Sequence, residues 1–177
     1  MKQIIVTMIL ALGISAMGQP GGNNQVLEVR LLSATEKLLP GGENRIAMEL
    51  AIHEPWHING HEPLSEFLIP TDISFKAADG LGFEKISYPP ADERVFSFSE
   101  EPVLVYEGLA YITAQVSVGE ALAGQTVKIS GIIGYQACND EICLPPADYE
   151  FSFEIAVAQS NEEVKQINTA VFGGARD

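Results

Sequence analysis

Apolar and polar residues alternate along three stretches of the chain. Ile46, Met48, Leu50 and Ile52 alternate with Arg45, Ala47, Glu49 and Ala51. Ile112, Ala114, Val116 and Val118 alternate with Tyr111, Thr113, Gln115 and Ser117. The cleanest run sets Tyr149, Phe151, Phe153, Ile155 and Val157 against Glu150, Ser152, Glu154 and Ala156. A period of two places one face on a core and the other in water, as antiparallel sheets do. Weaker strand signals cover Val26–Ser33, Ile69–Lys76, Phe83–Tyr88 and Thr126–Tyr135, with Gly, Pro, Asp and Asn clusters between them. About seven short strands at this spacing predict an all-β, two-sheet antiparallel sandwich over residues 26–158.

The ends read differently. Met1-Lys2 followed by an apolar run from Ile4 to Ile14, then Ala16 and Gly18, has the form of a signal peptide spanning residues 1–18, with Gln19 as the mature N-terminus. That run is shorter than the roughly 20 residues a bilayer span requires, so export is expected. Residues 19–25 form a turn-rich lead-in. Residues 159–177 are expected to be a tail, in which Ser160-x-x-Glu163 has the capping-box pattern for a short helix and the final Val-Phe-Gly-Gly-Ala-Arg-Asp frays. The tetrapeptide Pro-Pro-Ala-Asp at 89–92 and 145–148 is turn chemistry and not a repeat.

The 177 residues carry ten Lys and Arg against 24 Asp and Glu, a net charge of −14 that becomes −15 without Lys2. Nucleic acid is thereby excluded as an expected partner, since phosphate contacts need clustered cations. No phosphate-binding loop, dinucleotide fingerprint or His-Glu-x-x-His motif is present, and no cofactor is expected.

The candidate chemistry lies in Tyr135-Gln136-Ala137-Cys138-Asn139-Asp140-Glu141-Ile142-Cys143-Leu144-Pro145-Pro146. A strand precedes this segment and the strongest strand follows it. The two cysteines therefore face each other across a hairpin-like turn, for which Asn139-Asp140 are natural formers. Such a turn can bring their Cα atoms within about 4.4–6.8 Å, the range of a disulfide, and an oxidising compartment makes the bond the default. A loop of about six residues gives only about 2 kcal/mol of chain-entropy stabilisation, a weak return for a structural staple. Spacing alone leaves an exchange-active pair and a turn staple both open. Two thiolates without a second ligand pair do not make a zinc site.

His53, His57 and His61 recur at every fourth position, but Pro55 and Asn59-Gly60 forbid a regular helix there. On an extended chain they would lie about 13 Å apart at each step, too far to share a metal. The segment Pro89–Pro102 is polar and proline-bounded, yet carries Phe96 and Phe98. A loop with two aromatic residues must tuck them down or display them.

The stretch Tyr-Gln-Ala-Cys, four residues, then Cys-Leu-Pro-Pro resembles the active-site turn of the periplasmic N-terminal domain of DsbD, the thiol:disulfide interchange protein. Pro55-Trp56-His57-Ile58-Asn59, Tyr88-Pro89-Pro90 and Val105-Tyr106-Glu107-Gly108 agree with that family in order, and the resemblance spans about Val26 to Val157. It implies export to the periplasm and an immunoglobulin-like sandwich whose cysteine pair takes electrons from a membrane thiol transporter and reduces periplasmic thioredoxin-fold proteins. By that likeness Cys143 attacks the partner disulfide and Cys138 resolves the mixed disulfide. Phe98, or else Phe96, takes the place of the aromatic residue in a cap loop over the cysteines. His57 and Asn59 fall where the family has aromatic residues beside the pair, and Tyr135 and Gln136 flank it. Glu100 and Glu101 would raise a nearby thiol pKa by like-charge repulsion.

Two departures accompany the likeness. The best-known member has five residues between its cysteines and this chain has four. No transmembrane or thioredoxin-like segment accompanies the sandwich here, so the donor is expected to be a separate protein. The competing expectation is a non-catalytic exported binding sandwich whose disulfide braces a loop.

Overall fold

The computed structural model describes residues 26–96 and 101–173. The expected signal peptide, the whole lead-in, Phe98, Glu100 and the last four residues lie outside them. The described chain runs through β1 (Leu27–Ser33), β2 (Glu43–Ile52), β3 (His57–Asn59), β4 (Asp72–Phe75), β5 (Leu81–Ser87), β6 (Asp92–Arg94), β7 (Val103–Tyr106), β8 (Leu109–Val118), β9 (Thr126–Tyr135), β10 (Ala137–Cys138), β11 (Ala147–Ala156) and a four-residue helix, α1 (Thr169–Phe172). All strand pairs are antiparallel and form three sheets, ordered β1-β2-β8-β5, β11-β9-β4 and β10-β3-β7-β6. The fold is the expected all-β, immunoglobulin-like antiparallel sandwich, with its strands divided among three sheets where two were expected.

The alternating runs become long strands of the sheets β1-β2-β8-β5 and β11-β9-β4. Met48 and Leu50 of β2, Ile112 and Val116 of β8, Ile129 and Ile133 of β9, and Tyr149 and Phe151 of β11 all enter one core. Each large apolar side chain withdrawn from water contributes about 1.5–3 kcal/mol against the chain entropy lost on folding. Gly131 occupies a core-facing position of β9, and the reason is steric. A Cβ there would stand 2.3 Å from the Ser74 carbonyl oxygen and 2.5 Å from the Phe151 ring.

The four-stranded sheet of short strands carries the cysteine strand. β9 leads into β10 with only Gln136 between them. β10 pairs with β3, which pairs with β7, which pairs with β6. These strands are two to four residues long, too short to show a period. The carboxyl-terminal segment departs from expectation. Ser160 and Asn161 form a turn, and the helix lies further on, at Thr169–Phe172. Glu162 is engaged there in place of a capping box. It pairs with Lys37 and accepts a hydrogen bond from the Gln159 amide. Phe172 is buried, with the Arg45 guanidinium 5.5 Å over its ring, so the chain is anchored at least to that residue. Among the described residues no helix is long and apolar enough to cross a membrane.

Candidate functional site

The site is a turn held against a two-residue strand. Cys138 and Cys143 are joined in a disulfide with Cα atoms 4.0 Å apart, slightly closer than the span expected from the sequence, and they also form an isolated antiparallel bridge. Asn139 builds the turn between them. Its side-chain oxygen accepts hydrogen bonds from the amides of Glu141 (2.9 Å) and Ile142 (2.8 Å), and its own amide donates to the Ile142 carbonyl at 2.9 Å. Beyond the turn, the Leu144 amide donates to the Ala137 carbonyl at 2.8 Å.

The two sulfur-bearing residues have opposite environments. Cys138 is 1% exposed and sits in β10, whereas Cys143 is exposed next to Ile142, itself 53% exposed. An incoming thiolate must approach a disulfide sulfur directly, and among the described residues Cys143 is the more exposed of the two cysteines.

Gln136 ties the turn to the sheet beneath it. Its side-chain nitrogen donates to the Leu144 carbonyl at 3.2 Å, and its side-chain oxygen accepts from the Asn59 amide nitrogen at 3.4 Å. The Asn59 backbone amide donates to the Gln136 carbonyl at 3.2 Å, and Asn59 Nδ2 also donates to the Ile69 carbonyl at 2.9 Å. Thr71, fully buried, donates its hydroxyl to the Asn59 carbonyl at 2.6 Å. Sequence reasoning missed Thr71, because a lone threonine beside a proline carries no signal of burial. Tyr135 is 2% exposed, packs in the core, and lines a small apolar cavity of about 170 Å³ with Val26, Ala137, Leu144, Pro145 and Ala147. Burial pushes its phenol pKa up.

His57 stands opposite Cys138 in the β3–β10 register. It is 3% exposed, and its Nε2 has no hydrogen-bond partner among the described residues. Desolvation lowers its pKa below the ordinary 6.5, opposed by the nearby charges of Glu107 and Asp140. Glu107 in turn accepts from Arg94 Nε at 3.2 Å and Nη2 at 2.9 Å, fastening β6 to the end of β7. The sequence singled out neither Glu107's charge nor Asp140's in this role.

Phe96 lies two residues beyond β6. Its half-buried ring stacks on His57, with centroids 4.0 Å apart and planes 13° from parallel. Of the remaining loop residues proposed from sequence, Glu101 is exposed, while Phe98 and Glu100 fall outside the described residues.

The three histidines do not share one extended segment. The Trp56 amide bonds back to the His53 carbonyl at 2.9 Å across a cis Glu54–Pro55 peptide, so the chain turns before β3 begins. His61 stacks on Tyr88 with centroids 3.5 Å apart, and its Nδ1 lies 3.1 Å from the Thr71 carbonyl. Among the described residues no group of three or more His, Cys, Asp or Glu is placed to hold a metal.

The chain is similar to the Neisseria meningitidis DsbD N-terminal domain in the reduced form, at 17% identity over 81% of this chain and 91% of that one, with a TM-score of 0.44. It is also similar to the N-terminal periplasmic domain of ScsB from Proteus mirabilis, at 14% identity and a TM-score of 0.51, covering 86% of this chain and 55% of that one. The second likeness supports the fold. No curated protein sequence matches the chain significantly. Residues 28–155 match the family described as thiol:disulfide interchange protein DsbD, N-terminal. That match covers well over half of the chain, which therefore belongs to the DsbD N-terminal domain family.

Proposed function

We propose that this protein is a periplasmic thiol–disulfide relay, with Cys143 as the attacking thiol and Cys138 as the resolving thiol. The observation that carries this reading is the asymmetry of the pair, an exposed Cys143 bonded to a buried Cys138. In the reduced form the Cys143 thiolate attacks a disulfide of an exported thioredoxin-fold protein. A Cys143–partner bond forms, and the first partner thiolate leaves. Cys138 then attacks Sγ of Cys143, closing the intramolecular disulfide and releasing the second partner thiolate. Two electrons pass to the partner, with the two protons that the relay's thiols give up. A membrane thiol transporter, acting as a dithiol donor, restores the reduced pair. The aromatic segment after β6 covers the pair between encounters, with Phe96 and Phe98 as its candidate rings, and Glu100 and Glu101 hold nearby thiols toward the protonated form.

The test is a redox titration of the native protein against glutathione, together with trapping by Cys138→Ser. A potential in the range of exchange proteins and a Cys143-linked adduct with an exported thioredoxin-fold protein are expected. A potential below about −300 mV would mark a structural bond and leave the chain a binding sandwich with a braced loop.

A further inference from the structure

The buried histidine beside the resolving cysteine is unexplained by the exchange chemistry just given. Cross-strand partners carry their side chains on the same face, with Cβ atoms about 4.5–5.5 Å apart. His57 and Cys138 are such a pair, and both are almost completely withdrawn from water. A buried polar atom without a partner costs about 1–3 kcal/mol, and His57 Nε2 is one of three such atoms among the described residues. In the disulfide form Cys138 has no proton to offer. Reduction creates an S–H on the residue directly across the strand pair, the one event in the exchange cycle that supplies a donor there.

We infer that His57 is the base that takes the thiol proton of Cys138 when the mixed disulfide is resolved. The inference rests on the relay reading and adds a proton path to it. As Cys138 Sγ attacks Cys143 Sγ, the Cys138–Cys143 bond forms and the Cys143–partner bond breaks. The electron pair of the broken bond leaves on the partner sulfur. The Cys138 proton moves to His57 Nε2 and passes from there to the departing thiolate or to water.

The surroundings suit this role. Desolvation keeps the imidazole neutral, as a base must be. Among the described residues, Glu107, just beyond the strand that pairs with β3, and Asp140, in the cysteine turn, are the charged groups acting on the ring, and both stabilise the imidazolium once it forms. Arg94 pairs with Glu107 and moderates its charge. Phe96 closes one face of the ring, so proton transfer proceeds without bulk water on that side.

Titration of Cys138 in a Cys143→Ala protein, followed by its Cβ NMR shift, tests the inference directly. With His57 present and neutral, its Nε2 accepts the Cys138 S–H, which favours the thiol form and is expected to raise the Cys138 pKa. His57→Phe, which removes the acceptor, should lower it by about one unit, and His57→Gln, whose amide oxygen accepts less well, should lower it by less. The reciprocal readout is the His57 ring titration, which should differ between Cys143→Ala and a chain in which Cys138→Ala is made as well. This second measurement leaves His57 in place and decides the matter if the His57 variants do not fold. A Cys138 pKa unmoved by both substitutions, or a His57 titration indifferent to the Cys138 thiol, overturns the inference. Neither measurement involves a redox partner. Failure of the relay reading would instead appear as an absence of exchange by the unaltered protein, whatever the His57–Cys138 coupling.

Discussion

Phe96 lies flat on His57, with ring centroids 4.0 Å apart, and His57 is the cross-strand partner of Cys138. Phe96, just after β6, therefore reaches the cysteine site through an aromatic contact. Such a stack is worth about 0.5–1.5 kcal/mol beyond its buried area. Phe96→Ala should accordingly raise the rate at which a small thiol reduces the disulfide by about two- to tenfold, measured as dithiothreitol reduction kinetics. An unchanged rate, with acceleration in Phe98→Ala instead, would assign the cover to Phe98.

Gln136 spans the turn and the neighbouring strand through Leu144 and Asn59. Gln136→Ala removes both side-chain contacts and leaves the Leu144 carbonyl without this donor. A loss of about 1–2 kcal/mol is expected in urea unfolding, together with faster amide hydrogen exchange at Leu144, whose own hydrogen bond to Ala137 depends on the turn staying seated.

Breaking the disulfide should not unfold the sandwich. Its core lies between the long strands, and the bond closes a loop of sequence separation 5, for which the chain-entropy stabilisation is about 2 kcal/mol. The reduced protein should retain its far-ultraviolet circular dichroism and lose only a few degrees of Tm. A collapse of cooperative unfolding on reduction would show the bond to be a structural staple.

Core truncation should cost more. Ile133 in β9 is fully buried between Ile73 of β4 and Tyr149 of β11. Ile133→Ala should destabilise by about 2–5 kcal/mol in chemical denaturation, exceeding the effect of removing the disulfide.

His57 also fixes a pH dependence. Its folded-state pKa lies below the unfolded value because burial disfavours the imidazolium. The unfolded chain then takes up a proton that the native chain resists, so His57's contribution is fully present above about pH 6.5 and declines as pH falls toward the folded pKa. His57→Gln should flatten the stability profile between pH 7 and 5, read from urea midpoints at each pH. A profile of unchanged slope would contradict the assignment.

The sequence by itself determined the sandwich, because period-two alternation depends only on the local pleat and needs no knowledge of neighbours. Arg45–Ile52, Tyr111–Val118 and Tyr149–Val157 each announced one wet and one dry face, and each supplies a long strand. The cysteine motif was equally plain, since its residues are contiguous. Tertiary structure alone decided the rest. The strands holding His57, Arg94 and Cys138 are only two or three residues long, so they have no period to read and form only because partners align beside them. Gly131 looks like a gap in an apolar face until Phe151 fills it. The unequal exposure of Cys138 and Cys143 depends on which side of the turn meets β3, and spacing along the chain carries no record of that. The same pairing sets His57, which the resemblance placed only beside the pair, directly across from Cys138, a relation that spacing along the chain could not show.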